Sequence, residues 1–160
     1  MNFEHLVEIN DDTLQGVAPL TRAQLWQGLV IRAEKPQITV VGLDGCEILE
    51  RGEGYIKREQ HFGPLRVRDT VSFVAMESVT YETEQGENMP AGRLSMRIEE
   101  PAPGRLFVRF IYADRDELPT FPLDNFYGEY LKEAYVQADI DTVTTIRELV
   151  IGGLIAGEDA

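Results

Sequence analysis

Apolar and polar positions alternate through the middle of the chain and recur at helical spacing toward both ends. Residues Phe3 to Ile9 read as a first strand, followed by a polar connection from Asn10 to Pro19. Leu25, Trp26, Leu29, Val30 and Ala33 then fall on one helical face. Thr21 with Gln24 three residues on forms a capping box, in which each side chain takes one orphan amide. Leu20 and Leu25 on either side of it form a hydrophobic staple. Pro36 disfavours helical geometry at Lys35 and stops the helix. From Cys46 to Ala113 the period changes to two, and turn signals recur at Gly52-Glu53-Gly54, Gly63-Pro64, residues 85–92 and residues 101–104. About six strands in succession predict an antiparallel meander, not βαβ units. Beyond a loop from Glu117 to Pro122, residues 124–151 return to helical spacing, and Gly152-Gly153 ends them. A helix of roughly 28 residues spans ~42 Å, enough to cross a sheet and cover its apolar face. The pattern predicts an α+β domain spanning 1–160. Its parts are an antiparallel sheet of about six or seven strands, a long C-terminal helix, and a short helix after the first strand.

Strand register brings the charges into the picture. If Phe62 faces Leu65 across Gly63-Pro64, then Gln60 faces Val67 and Arg58 faces Asp69. If Arg51 faces Gly54 across Gly52-Glu53, then Leu49 faces Ile56 and Glu47 faces Arg58. The two registers predict an acid–base–acid row, Glu47, Arg58 and Asp69, with opposed Cβ atoms ~5 Å apart. The row lies on the face that carries Leu49, Ile56, Phe62, Leu65, Val67, Val71 and Phe73. Buried charges are costly unless paired or hydrogen-bonded. The row is therefore either a polar handle within a pocket, a solvated cross-strand ion-pair row, or a set of charges turned outward by a bulge.

The next strands supply more of the same face. Leu94, Met96 and Ile98 alternate with polar residues, as do Leu106, Val108, Phe110 and Tyr112. An odd-length loop ending at Gly104 would align the two sets. On the long helix, Tyr127, Tyr130, Leu131, Ala134 and Ala138 form an apolar stripe that resumes at Ile146 and Leu149. Asp141, Thr142 and Thr145 interrupt it. Those threonines either face a ligand or bond to their own helix carbonyls. The expected ligand-facing set is Glu47, Arg58, Gln60, Asp69, Phe73, Met96, Phe110 and Tyr112 on the sheet, with Tyr127, Ala138, Thr142 and Thr145 on the helix.

Composition narrows the partners. The formal net charge is −13, and the basic residues are scattered. Such a field repels nucleic acid and anionic membrane surfaces. No apolar run approaches the ~18 residues of a membrane span. The first residues lack the basic-then-apolar order of a signal peptide. Cys46 is the sole cysteine, so no internal disulfide forms and a cytoplasmic location is expected. His5 and His61 are the only histidines and have no metal-ligand spacing, so no metal is expected. Gly52-Glu53-Gly54 precedes a strand and has no helix behind it, so it reads as a turn and not a phosphate loop. No cofactor is expected.

The stretch Leu20 to Leu29 (LTRAQLWQGL), the Glu-Arg-Gly-Glu-Gly turn at 50–54, and Ala138 to Arg147 (ADIDTVTTIR) resemble one branch of the START-like, or Bet v 1-like (SRPBCC), superfamily. That branch is the AtaL-like family, named after the acetylaranotin biosynthesis cluster protein L. The resemblance spans nearly the whole chain and implies a helix-grip fold, in which a curved sheet wraps the long helix. The superfamily includes lipid carriers, hormone receptors, polyketide cyclases and chaperone activators, so the fold alone does not select a function. Three functions follow as expectations. The first is a carrier or binding protein for a small, largely apolar molecule with a polar group. The second is a cyclase- or aromatase-type enzyme, with Arg58 orienting an oxygen and Asp69 or Glu47 moving a proton. The third is a protein-interaction module.

Overall fold

The computed structural model describes residues 3–11, 18–40, 42–86, 91–114 and 124–155, excepting the side chains of 114, 124–129 and 131. The expected loop from Glu117 to Pro122 lies outside the described residues. The elements run β1 (Phe3–Glu8), α1 (Arg22–Glu34), β2 (Gly45–Gly52), β3 (Tyr55–Phe62), β4 (Leu65–Val74), β5 (Ser78–Thr83), β6 (Gly92–Ala102), β7 (Arg105–Asp114) and α2 (Asp124–Ile151). The seven strands form an antiparallel sheet in the order β1-β7-β6-β5-β4-β3-β2. This is the expected meander, with β1 added beside the last strand. Among the described residues, no helix is long and apolar enough to cross a membrane.

Local chemistry sets the element ends. Thr21 Oγ1 accepts from the Gln24 amide at 3.1 Å, and Gln24 Oε1 accepts from the Thr21 amide at 2.9 Å. These reciprocal bonds close the first turn of α1. Lys35 leaves the helix, and a short 3-10 turn over Pro36–Ile38 follows. Between β3 and β4 the turn is Gly63-Pro64, with Phe62 opposite Leu65. Gly63 has φ +57°, a left-handed value that favours glycine. Leu94 faces Tyr112 and Met96 faces Phe110, as expected. The odd residue that aligns them sits in a bulge between Glu99 and Ala102, and the turn itself is the residue pair Pro103-Gly104.

The inner face of the sheet carries Val71, Val79, Met96, Val108 and Phe110. They pack with Leu25, Leu29 and Ala33 of α1 and with Val143, Ile146 and Leu149 of α2. Trp26 meets Phe73 edge-on, with ring centroids 6.5 Å apart, so the tryptophan packs on the sheet.

The buried face of α2 differs from the expected stripe. Tyr130 is 65% exposed, and Ala134 and Ala138 are exposed too. The Tyr127 and Leu131 side chains lie outside the described residues. Among the described side chains of α2, the buried ones are Asp139, Val143, Ile146 and Leu149, flanked by half-buried Tyr135 and Val150. Up to Asp139 the buried face thus lies about one residue, or ~100°, from the expected stripe, whereas Ile146 and Leu149 are buried as expected. Alanines bury little apolar area and mark a face weakly. The phase is set instead by Tyr135, which stacks on Tyr112, and by Asp139, which bonds to the sheet.

The two helices meet at Gly28. A Cβ there would lie 2.4 Å from Cγ2 of Ile146, and 3.0 Å from its Cβ. Ile146 is branched and buried, so it has little room to yield. Overpacking costs about 1–3 kcal/mol, against the roughly 1 kcal/mol that alanine gains over glycine within a helix. Gly28→Ala is therefore expected to lower stability by about 1 kcal/mol in urea unfolding. Ile146→Ala should cost less in that background than alone, because it removes both Cγ atoms from the clash.

Candidate functional site

Two groups of buried polar side chains occupy the space between the sheet, α1 and α2. The first is the Arg58–Asp69 pair at the centre of the expected row. The β3–β4 register places the two opposite each other, and they are 2% and 4% exposed. Arg58 Nε donates to Asp69 Oδ1 at 2.8 Å, and the second fork donates to Oδ2 at 2.6 Å. The remaining guanidinium nitrogen donates to the Ala33 carbonyl at 2.7 Å. That carbonyl belongs to the last turn of α1, where no intrahelical donor remains. Burial pulls the guanidinium pKa down, and the bonds and charge of Asp69 more than offset it, so the pKa stays above its ordinary value. Gln60 Nε2 approaches Asp69 Oδ2 at 3.4 Å. Arg58 is thus a tie between β3, β4 and α1, with most of its donors committed.

Glu47 is not part of this row. The β2–β3 turn falls one residue later than expected, with Gly52 opposite Tyr55, and a bulge at Leu49 shifts the register again. Ile48 comes to face Arg58, and Cys46 faces Gln60. Leu49 is exposed, and Glu47 points outward opposite Glu59. One ligand atom each from Glu47, Glu59 and His61 lie within 4.8 Å of one another there. Glu59 is already engaged by Arg68 and His61, which hold its carboxyl below the usual range. Cys46 is half-buried, and burial pushes its thiol up, so it remains a thiol.

The second group joins α2 to the sheet. Asp139 is 2% exposed although it is a carboxylate. His5 Nδ1 lies 3.1 Å from its Oδ2, and the Tyr112 hydroxyl donates to its Oδ1. Tyr135, one helical turn before Asp139, stacks on Tyr112 with centroids 4.2 Å apart and planes at 11°. Burial raises the Asp139 pKa, opposed by the bonds from Tyr112 and His5. Burial and the same carboxylate also raise the Tyr112 pKa, which keeps the phenol protonated as a donor.

The other expected residues divide. Met96 and Phe110 are fully buried core, and Phe73 is half-buried against Trp26. On α2, Ala138 is exposed, and Thr142 Oγ1 donates to the Ala138 carbonyl at 2.9 Å, so this threonine bonds to its own helix. Thr145 is half-buried, and the Tyr127 side chain is not described. Sequence reasoning missed His5 and Asp139. His5 falls in the inward alternation Phe3, His5, Val7 of β1, and Asp139 falls in the helical series Tyr135, Asp139, Val143, Ile146. A separate open groove of about 310 Å³ lies between β1 and α2, lined in part by Ile140 and Arg147. Arg147 there donates to the Ile9 and Ala18 carbonyls.

Residues 7–153 match the family model of acetylaranotin biosynthesis cluster protein L, AtaL. The chain belongs to the AtaL family. No curated protein sequence matches this AtaL-family chain. Among solved structures it is similar to the Zhui aromatase/cyclase from Streptomyces sp. R1128, at 14% identity and a TM-score of 0.61, covering 98% of this chain and 96% of that one. It is similar to Ara h 8.0201 at 13% identity and a TM-score of 0.61, covering 95% and 98%. It also resembles the di-domain aromatase/cyclase StfQ of the steffimycin biosynthetic pathway. There the identity is 10% and the TM-score 0.65, over 92% of this chain and 50% of that one. At these identities the likeness establishes a shared helix-grip fold for this AtaL-family protein.

Proposed function

We propose that this chain works as one helix-grip domain over residues 1–160, and that the space between sheet and helices binds a small, largely apolar molecule bearing a polar group. The carrying observation is uneven cover of the inner face. Val71, Val79, Met96 and Phe110 are fully buried, whereas Cys46, Gln60, Leu94 and Tyr112 on the same face are only half-buried. Apolar surface with a few polar groups among it is what a small-molecule site requires. A cytoplasmic location agrees with the lone thiol. Titration with the neutral apolar fluorophore phenylnaphthylamine is the test, with stoichiometry read by native mass spectrometry. Saturable one-to-one binding that is lost when Leu94→Trp fills the inner face supports the reading. Binding unchanged by Leu94→Trp, or no binding, sinks it.

The second reading is an enzyme of the cyclase or aromatase type, and the His5–Asp139–Tyr112 group favours it. A carboxylate that accepts from Nδ1–H fixes the imidazole tautomer and leaves Nε2 as an acceptor, the arrangement of a general base. Asp69, fully paired with Arg58, and Glu47, on the outer face, do not fit the proton-moving role expected for them.

A further inference from the structure

Arg32 and the hydroxyl of Tyr81 belong to neither of the two groups above. Tyr81 is 6% exposed, and its hydroxyl oxygen is buried without a hydrogen-bond partner among the described residues. Buried polar atoms are nearly always paired, so an orphaned hydroxyl calls for an occupant that is absent from the chain itself. Arg32 projects from the last turn of α1, one helical turn beyond Gly28, and is half-buried. Among the described residues it makes no hydrogen bond and no ion pair, and its contact is with the Tyr81 ring, 5.1 Å from the centroid. The other guanidinium near that ring, Arg58 at 5.2 Å, is consumed by Asp69 and Ala33.

The sheet register locates Arg32 further. Tyr81 faces Leu94, and Leu94 faces Tyr112, so the two tyrosines flank Leu94 in one row. Strands lie ~4.8 Å apart, which separates the tyrosines by roughly 10 Å. Arg32 stands over Tyr81, and its charge weakly opposes the raised pKa values of Tyr112 and Asp139. Its guanidinium thus lies over Tyr81, whose cross-strand partner on the inner face is the half-buried Leu94. A cation at a helix C-terminus is favourable in itself. That accounts for the charge of Arg32 and leaves the Tyr81 hydroxyl unexplained.

We propose that Arg32 and the Tyr81 hydroxyl form the recognition site for an anionic oxygen on the ligand, a carboxylate or an ionised enol or phenol, while its apolar body lies along the inner face at Leu94. Arginine stays charged and offers a planar fork of donors suited to such an oxygen. The phenol adds one donor of its own. This rests on the interior-binding reading and specifies its ligand as an acid. It also explains how a chain of net charge −13 can hold an anion: the cation that meets it is shielded within the fold.

The test uses a matched pair of fluorophores, anilinonaphthalene sulfonate and its neutral counterpart phenylnaphthylamine, titrated into the full chain and into Arg32→Gln and Tyr81→Phe. The sulfonate stands in for the anionic oxygen. Arg32→Gln is expected to weaken the sulfonate by about tenfold or more, and Tyr81→Phe by roughly threefold, each with phenylnaphthylamine unchanged within about twofold. Circular dichroism and urea midpoints confirm that both variants fold. Leu94→Trp should abolish both probes, which ties them to the inner face. If wild type binds phenylnaphthylamine and Arg32→Gln leaves the sulfonate unchanged, or weakens both probes equally, the acid-recognition proposal is overturned and the interior-binding reading stands. If wild type binds neither probe, both fall together.

Discussion

Arg58→Ala is expected to destabilise the fold by about 3–5 kcal/mol, the cost of leaving one partner of a buried ion pair uncompensated. The pair is closed on all sides. Asp69 receives both of its short charge-assisted bonds from Arg58, and the nearest other donor is Gln60 at 3.4 Å. The same substitution strips the Ala33 carbonyl of its donor and removes a cation from the C-terminal end of α1. It thus opens the junction of β3, β4 and α1 at one stroke. Such a loss is a large part of the roughly 5–15 kcal/mol that holds a domain folded. Replacing the pair by apolar side chains, Arg58→Met with Asp69→Leu, should recover most of it, because no charge is then left buried. A residue of about 1 kcal/mol should persist from the unpaired Ala33 carbonyl. Urea unfolding decides the matter. An Arg58→Ala value within about 0.5 kcal/mol of wild type is what a surface site gives, and would mean that the pair contributes nothing as a buried unit.

Why the Arg58–Asp69 contact was legible in the sequence while its neighbours were not comes down to turn geometry. Gly63-Pro64 fixes a symmetric hairpin, so pairing propagates from Phe62–Leu65 to Arg58–Asp69 without a defect. The same logic fails on β2. There the turn moves by one residue, which slides the pairing by two and keeps the faces, and a bulge at Leu49 then absorbs one more residue and exchanges them. Glu47 changes sides as a result. The phase of α2 misled for a different reason. Ala134 and Ala138 look apolar but are exposed, whereas the acidic Asp139 is in the interior because Tyr112 and His5 satisfy it. No periodicity reveals that bond, since His5 and Asp139 are 134 residues apart and meet only when β1 joins the far side of β7. Arg32 and Tyr81 are unmarked in the sequence for a similar reason. A positive charge near a helix end and a tyrosine in a strand are ordinary, and the unfilled hydroxyl exists only in three dimensions.

Asp139→Asn is expected to gain on wild type as the pH rises. Burial raises the folded pKa of Asp139 above the ~3.9 of an unfolded aspartate. Between those two values the native state holds a proton that the unfolded state has released, so stability falls with increasing pH. The contribution of the protonated carboxyl is complete below about pH 3.9 and is lost as the pH passes through the raised folded pKa. For one such proton the slope approaches about 1.4 kcal/mol per pH unit inside that window. Asparagine does not titrate, yet it keeps the shape of the side chain. Its oxygen can accept from Tyr112, and its amide can donate to the Nδ1 of the other His5 tautomer. The carboxylates of Glu59, Glu99 and Glu100 have lowered pKa values and act in the opposite direction, losing their contribution on acidification. They are common to both proteins and cancel in the difference. Urea midpoints of wild type and Asp139→Asn from pH 4 to 8, repeated in a His5→Asn background to remove the imidazole, give that difference directly. Wild type should lead by most at the acidic end and lose ground until the pH passes the raised folded pKa, beyond which the difference levels off. A gap that stays constant, or that widens in favour of wild type with pH, would mean that the Tyr112 and His5 bonds outweigh burial and that Asp139 is held as a stable carboxylate.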